Sequence, residues 1–151
     1  MEKTGLLFLL FATILTTQAQ TANPAADKEV QAVIQQLFDG MRKSDSTLLR
    51  PLFYANARLQ TTFTDKNGKP VLKEDSIGKF IEQIGTPHAE TYDERILGYE
   101  IRTDDNLATV WTPYEFYLGG KFSHRGVNAF QLFRSEGGWQ IIQITDTRRK
   151  K

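Results

Sequence analysis

His124 and Glu115 are the two side chains of this sequence best suited to moving protons. An imidazole titrates near neutrality, and a carboxylate beside it stabilises the imidazolium and fixes the ring, the arrangement of a general acid–base pair. The competing reading is a charge pair at the surface, since such pairs outnumber catalytic ones. Asn128, close in sequence to Phe130 and Leu132, must find hydrogen-bond partners if it is buried. A bound ligand, a neighbouring strand or a water would serve equally. Asp146 and Arg148 follow the apolar Ile141, Ile142 and Ile144 and can hold a cavity rim, a subunit contact or a plain structural ion pair. Trp111 and Tyr114, with Tyr117, offer flat faces on which a heterocycle stacks, although aromatics in a sheet more often build core.

Other chemistries lack their residues. There is no cysteine, which removes thiol nucleophiles, thiolate metal sites and disulfides together. The two histidines, His88 and His124, are far apart in sequence, and His88 sits beside Pro87 in what reads as a solvent-exposed loop. No metal site and no cofactor are therefore expected. No glycine-flanked serine elbow and no phosphate-binding glycine loop occurs. The net charge is +1, with Lys and Arg interleaved among Asp and Glu, so no basic face argues for nucleic acid. Only Arg148 to Lys151 forms a charge run, and it reads as a solvated terminus.

The candidate residues depend on the strands that carry them. Leu107 to Thr147 contains three runs rich in Val, Thr, Trp, Tyr, Phe and Ile, joined at Gly119-Gly120 and at Ser135-Glu136-Gly137-Gly138, a pattern that predicts two antiparallel hairpins. With a two-residue loop at Gly119-Gly120, Leu118 opposes Lys121 and Tyr117 opposes Phe122. Counting on puts Glu115 opposite His124 and Trp111 opposite Asn128. Alternation then gives Trp111, Glu115, His124, Asn128, Phe130 and Leu132 one face, and Val110, Tyr114, Phe116, Val127, Ala129 and Phe133 the other. A bulge would shift this register by one, and Pro113, which cannot donate to a ladder, is the expected place for it.

The length of 151 residues suits one domain with a single core. Residues 1–19 read as a signal peptide, with the apolar run Leu6 to Leu15 followed by Thr17-Gln18-Ala19, and the run is shorter than the roughly 20 residues of a spanning helix. Residues 20–26 read as a flexible leader and 27–151 as the domain. No cysteine follows the apolar run to take a lipid anchor, so the expected location is periplasmic or secreted, with no membrane span after signal removal. A first helix is expected after the N-cap Asp27, burying Val30, Val33, Ile34, Leu37, Phe38 and Met41 at helical spacing. A shorter one follows Asp45 and meets Pro51. Ala57 to Thr64 and Val71 read as a hairpin around Asn67-Gly68, Asp75-Ser76 caps a third helix with Ile77, Phe80, Ile81 and Ile84 on one stripe, and a long strand runs from Thr91 to Arg102.

This order of elements resembles the nuclear-transport-factor-2-like superfamily, also called SnoaL-like, over nearly the whole mature chain. Leu37-Phe38-Asp39-Gly40 with Asp45 and Leu48-Leu49, then Phe53-Tyr54-Ala55-Asn56-Ala57, carry the likeness, with Asn106 to Val110 and Gly137 to Ile141 as the late-strand pattern. Within it the sequence is most similar to the small bacterial group called lumazine-binding. The resemblance implies an α+β fold, a cone-shaped curved sheet, mixed but mostly antiparallel, with three helices from the N-terminal half packed on its concave face around a hydrophobic cavity. It also implies a homodimer formed through the sheet. Enzymatic relatives place a carboxylate or histidine in that cavity, and many others bind or scaffold.

Three functions fit: an exported, non-catalytic domain binding a small apolar or aromatic ligand; a cofactor-free isomerase or lyase using His124 and Glu115; and an interaction module whose sheet meets a partner.

Overall fold

The computed structural model describes residues 23–150; the expected signal peptide lies outside them. Helix α1 spans Pro24–Lys43 and begins earlier than the expected cap at Asp27. Asn23 is the cap instead, its side chain accepting from the Ala26 N–H at 3.2 Å, and Pro24 takes the first position, where a missing N–H costs nothing. Asp27, freed from capping, accepts from the Thr103 hydroxyl at 3.2 Å and ties the helix to the sheet. Val30, Ile34, Leu37, Phe38 and Met41 are buried, the stripe their spacing predicts. Asp45 caps α2, Ser46–Leu49, and Pro51 turns its end into one 3-10 turn, Arg50–Leu52. Ser76 caps α3, Ile77–Gly85, which buries Ile81 and Ile84.

Seven strands form one open sheet: β1 Phe53–Thr64, β2 Pro70–Asp75, β3 Tyr92–Ile96, β4 Glu100–Asp104, β5 Leu107–Leu118, β6 Lys121–Ser135 and β7 Gly138–Thr147. The order is β2-β1-β7-β6-β5-β3, with β4 also on β5. Only β1 and β7 run parallel. The helices pack on the concave face, where Phe38 meets Phe130 edge-on at 6.3 Å and the α1 stripe joins Val110, Leu132, Ile141 and Ile144 in one core. Burying each fully enclosed side chain, such as Ile34 or Leu132, contributes roughly 2 kcal/mol.

Two expectations about the strands need correction. The long strand from Thr91 to Arg102 is broken: β3 and β4 both pair with β5, separated by Leu97, Gly98 and Tyr99. Pro113 explains the break. Its carbonyl accepts from the Leu97 N–H at 2.8 Å, so its backbone points to this edge, and the N–H that proline lacks leaves the facing chain without a donor.

The second correction concerns β5 and β6. Gly119 and Gly120 adopt φ of 56° and 82°, the paired positive angles of a two-residue hairpin turn, and Leu118↔Lys121 and Tyr117↔Phe122 pair as expected. Beyond them Ser123 is an extra residue without a partner across the ladder, and Phe116, not Glu115, opposes His124. Glu115 faces Arg125, Trp111 faces Ala129 and Asn128 faces Thr112. The bulge therefore lies near the turn rather than at Pro113. Because side chains alternate, this one-residue shift moves Trp111 and Glu115 to the convex face and brings Tyr114 and Phe116 to the concave face with His124 and Asn128.

Candidate functional site

The concave face, α1 and α3 enclose a cavity of about 480 Å³. Its apolar walls come from Leu37, Phe38 and Met41 of α1, Phe80 and Ile84 of α3, and Leu59, Phe116, Phe130 and Ile144 of the sheet. The exposed Lys73 and Lys79 line its solvent side.

Strand register organises the polar groups. Val110, Phe130, Ile144 and Leu59 form one apolar row across β5, β6, β7 and β1; two residues along, Thr112, Asn128, Asp146 and Thr61 form a polar row. All four members of that polar row are buried. Sheet geometry alone places them side by side, since residues in register share a face.

Asp146 is the most heavily bonded of them. Its Oδ1 accepts from the Thr61 hydroxyl at 2.6 Å, and its Oδ2 accepts from Arg148 Nε at 2.9 Å. The Tyr114 hydroxyl lies 3.4 Å from Oδ2 and donates to the Thr147 carbonyl at 2.9 Å. Burial, with the charges of Asp146 and Glu94, pushes the Tyr114 phenol far above its ordinary range, so it stays protonated and keeps its proton to donate. Burial works against the Arg148 charge, but the hydrogen bond and charge of Asp146 outweigh it and hold the guanidinium above its ordinary pKa. Gly126 makes room for this cluster: a Cβ there would run into the Thr147 carbonyl and the Tyr114 ring.

Glu94 completes the site from β3, its Oε1 accepting from Asn128 Nδ2 at 2.7 Å. Because β3 is the sheet edge the residue as a whole is half-buried, but its carboxyl group lies against the cavity. Burial pushes that carboxyl up to about 7; the Asn128 hydrogen bond opposes the shift, the Asp146 charge adds to it and the Arg148 charge opposes it. His124 also lines the cavity, with Ser123 Oγ 3.1 Å from Nδ1 and its ring 5.0 Å from that of Phe116. Burial and the Arg148 charge lower its pKa, with Asp146 opposing, which favours the neutral ring.

Five of the residues expected from sequence thus meet in one cavity: Tyr114, His124, Asn128, Asp146 and Arg148. Three, Glu115, Tyr117 and Trp111, do not join them. Glu115 accepts from the Tyr117 hydroxyl at 2.9 Å on the convex face, and Trp111, 48% exposed, lines a separate depression of about 380 Å³ there with Arg102, Gln131 and Gln143. His88 is not an open loop residue either; it is half-buried with its ring 4.1 Å from that of Tyr92. Sequence reading missed Glu94 and Thr61. Glu94 stands in the run Asp93-Glu94-Arg95, which resembles a solvated edge, but its alternation with Tyr92 and Ile96 marks the inward face.

Comparisons with known proteins agree on the architecture. An NTF2-like protein of unknown function from Shewanella baltica is 18% identical and superposes with a TM-score of 0.62, over 87% of this chain and 99% of that one. A "putative scytalone dehydratase" from Novosphingobium aromaticivorans is 11% identical with a TM-score of 0.65, over 83% and 85%. An NTF2-like protein of unknown function from Pseudomonas putida is 12% identical with a TM-score of 0.67, over 83% and 87%. At these identities the likeness shows the fold alone, that of the NTF2-like, or SnoaL-like, superfamily. No curated protein matches the sequence. The model of the family described as "Putative lumazine-binding" matches residues 25–145, and the chain belongs to that family.

Proposed function

We propose that this is an exported domain that binds a small, flat, largely apolar or aromatic molecule without transforming it, and that it works as a homodimer joined through the sheet. The observation that carries the binding reading is the cavity itself: apolar walls from two helices and the sheet, with its polar groups gathered by strand register. This is the usual composition of a small-molecule site, where apolar walls supply affinity and a few placed polar groups fix orientation. The family's description supports a ligand of that kind. Export rests on the N-terminal sequence pattern. Among the described residues no helix is long and apolar enough to cross a membrane.

A specific observation favours a second reading. Glu94, with its pKa near 7, and His124 line the same cavity, and a carboxyl that exchanges a proton near neutrality is what a cofactor-free isomerase or lyase needs. Glu94 takes the place that sequence gave to Glu115, and Asn128 or Tyr114 would steady developing oxyanion charge.

A thermal-shift screen against flat heterocycles, small steroids and aromatic acids tests the first reading. A ligand at 100 times its Kd adds about 2.7 kcal/mol of stability, an easily measured shift. Recovery of the ligand unchanged after prolonged incubation supports binding alone. Conversion that stops in His124→Ala moves the conclusion to the enzyme, and a screen without a single shift removes both.

A further inference from the structure

The two buried carboxyl groups of the cavity are not equivalent. Both oxygens of Asp146 are engaged, by Thr61 on one side and by Arg148 and Tyr114 on the other. Asp146 therefore positions its neighbours. Glu94 is held through Oε1 alone, by Asn128. Among the described residues no group bonds Glu94 Oε2 or Asn128 Oδ1. Neither atom is among the sealed, unpartnered polar atoms of the described residues, which are His88 Nε2 and Thr112 Oγ1. Both atoms thus keep access to solvent, although Asn128 is only 4% exposed, and both residues line the cavity. A largely buried amide with a free acceptor beside a carboxyl with a free oxygen is a pair left to solvent that a ligand can complete.

Resting on the binding reading above, we propose that Glu94 and Asn128 together read the –NH–C(=O)– edge of a cyclic amide or imide, the protonated Glu94 carboxyl donating to the ligand carbonyl and Asn128 Oδ1 accepting the ligand N–H. Burial favours a proton on Glu94 at this contact, and the groups around it act in both directions. Asp146 faces it from β7 and Arg148 from just past that strand's end, Tyr114 from β5, and His124 and Asn128 from β6. Lys73 and Asp75 of β2 and Lys79 of α3 line the solvent side of the same cavity. Burial and the Asp146 carboxylate favour the neutral acid, and together they outweigh the Asn128 hydrogen bond and the Arg148 charge, which oppose it. Lys73 is neutralised by Asp75 at 2.8 Å.

The deciding measurement is the affinity of the purified protein for lumazine, an imide-bearing bicycle, and for 1,3-dimethyllumazine, whose ring nitrogens carry methyl groups in place of hydrogens. Each is titrated at pH 6, 7 and 8 with wild type, Glu94→Gln and Glu94→Ala. Lumazine should bind about tenfold or more tightly than its dimethyl derivative, since a site built for an N–H rejects a ligand lacking it. Wild-type affinity should fall from pH 6 to pH 8 relative to Glu94→Gln, whose amide donates at every pH while still accepting from Asn128. That comparison cancels any titration of the ligand. Glu94→Ala should lose about tenfold at pH 6; if that variant fails to fold, the Glu94→Gln profile still decides. Equal affinity for the two compounds, or parallel profiles for wild type and Glu94→Gln, overturns the inference and leaves the cavity as a binding site. Binding of plain aromatics without either lumazine overturns it as well. If nothing binds, the binding reading fails and takes this inference with it.

Discussion

Glu94 couples the cavity to folding as well as to ligands. Its carboxyl titrates near 7 in the folded chain against an ordinary value of 4.5, so between those values the folded state holds more protons than the unfolded one. The corresponding stability is fully present below about pH 4.5, declines through the window and is gone above about pH 7. The shift corresponds to at most about 3 kcal/mol. Glu94→Gln lacks this loss while keeping the shape and the bond to Asn128. Urea denaturation should therefore find the variant and wild type nearly equal at pH 4.5, with the variant more stable by up to about 3 kcal/mol at pH 8. A gap that does not change with pH would show that the carboxyl titrates as an ordinary surface acid. His124 has its pKa lowered by burial, an opposite slope that both proteins share and that the difference removes.

At the scale of elements, most of the fold was legible and the site was half legible. Helix stripes, caps at Asp45 and Ser76, and both glycine turns follow from local rules that need no knowledge of the tertiary structure. The site failed where a local rule meets a count: the single bulged Ser123 changes which face every β5 residue takes relative to β6, and a serine there gives no sign of a bulge. Pro113 carried the right warning for the wrong neighbour, since its effect falls on β3 and β4. Glu94 stayed hidden because its strand neighbours Asp93 and Arg95 pair with each other at 2.8 Å on the outer face. Two glycines test this account of the strands. Gly126→Ala sets a Cβ against the Thr147 backbone, which cannot swing away, and should destabilise by about 2 kcal/mol or more. Gly98→Ala, in the break opposite Pro113, meets nothing within 4 Å and has no positive φ; it should be neutral or stabilise by up to about 1 kcal/mol. Thermal melts of the two variants check this directly, and equal losses would contradict it.

Among the described residues of the whole molecule, one face of the sheet is covered by helices and the other is bare. On the bare face Trp111 is 48% exposed and Leu107 47%, beside Thr109, Gln131, Gln143 and Thr145. A homodimer joined through the sheet would bury these side chains, and Trp111→Lys would place a charge in the seam. Sedimentation should then find wild type as a dimer and the variant as a monomer with its cavity ligand still bound; a wild-type monomer removes the dimer from the proposal.

The interruption at Leu97, Gly98 and Tyr99 bears on a hazard unrelated to ligands. An open sheet ends in strands with unsatisfied backbone groups, and a long flat one is a template on which other chains can nucleate aggregates. Here β3 and β4 present only five residues each before the ladder stops. At the opposite end β2 begins with Pro70 and carries Lys73, Glu74 and Asp75. The proline in β5 that splits one border of the sheet thus limits how far a foreign strand can zip along it, and helps a sheet whose two borders are uncovered among the described residues stay dispersed when concentrated.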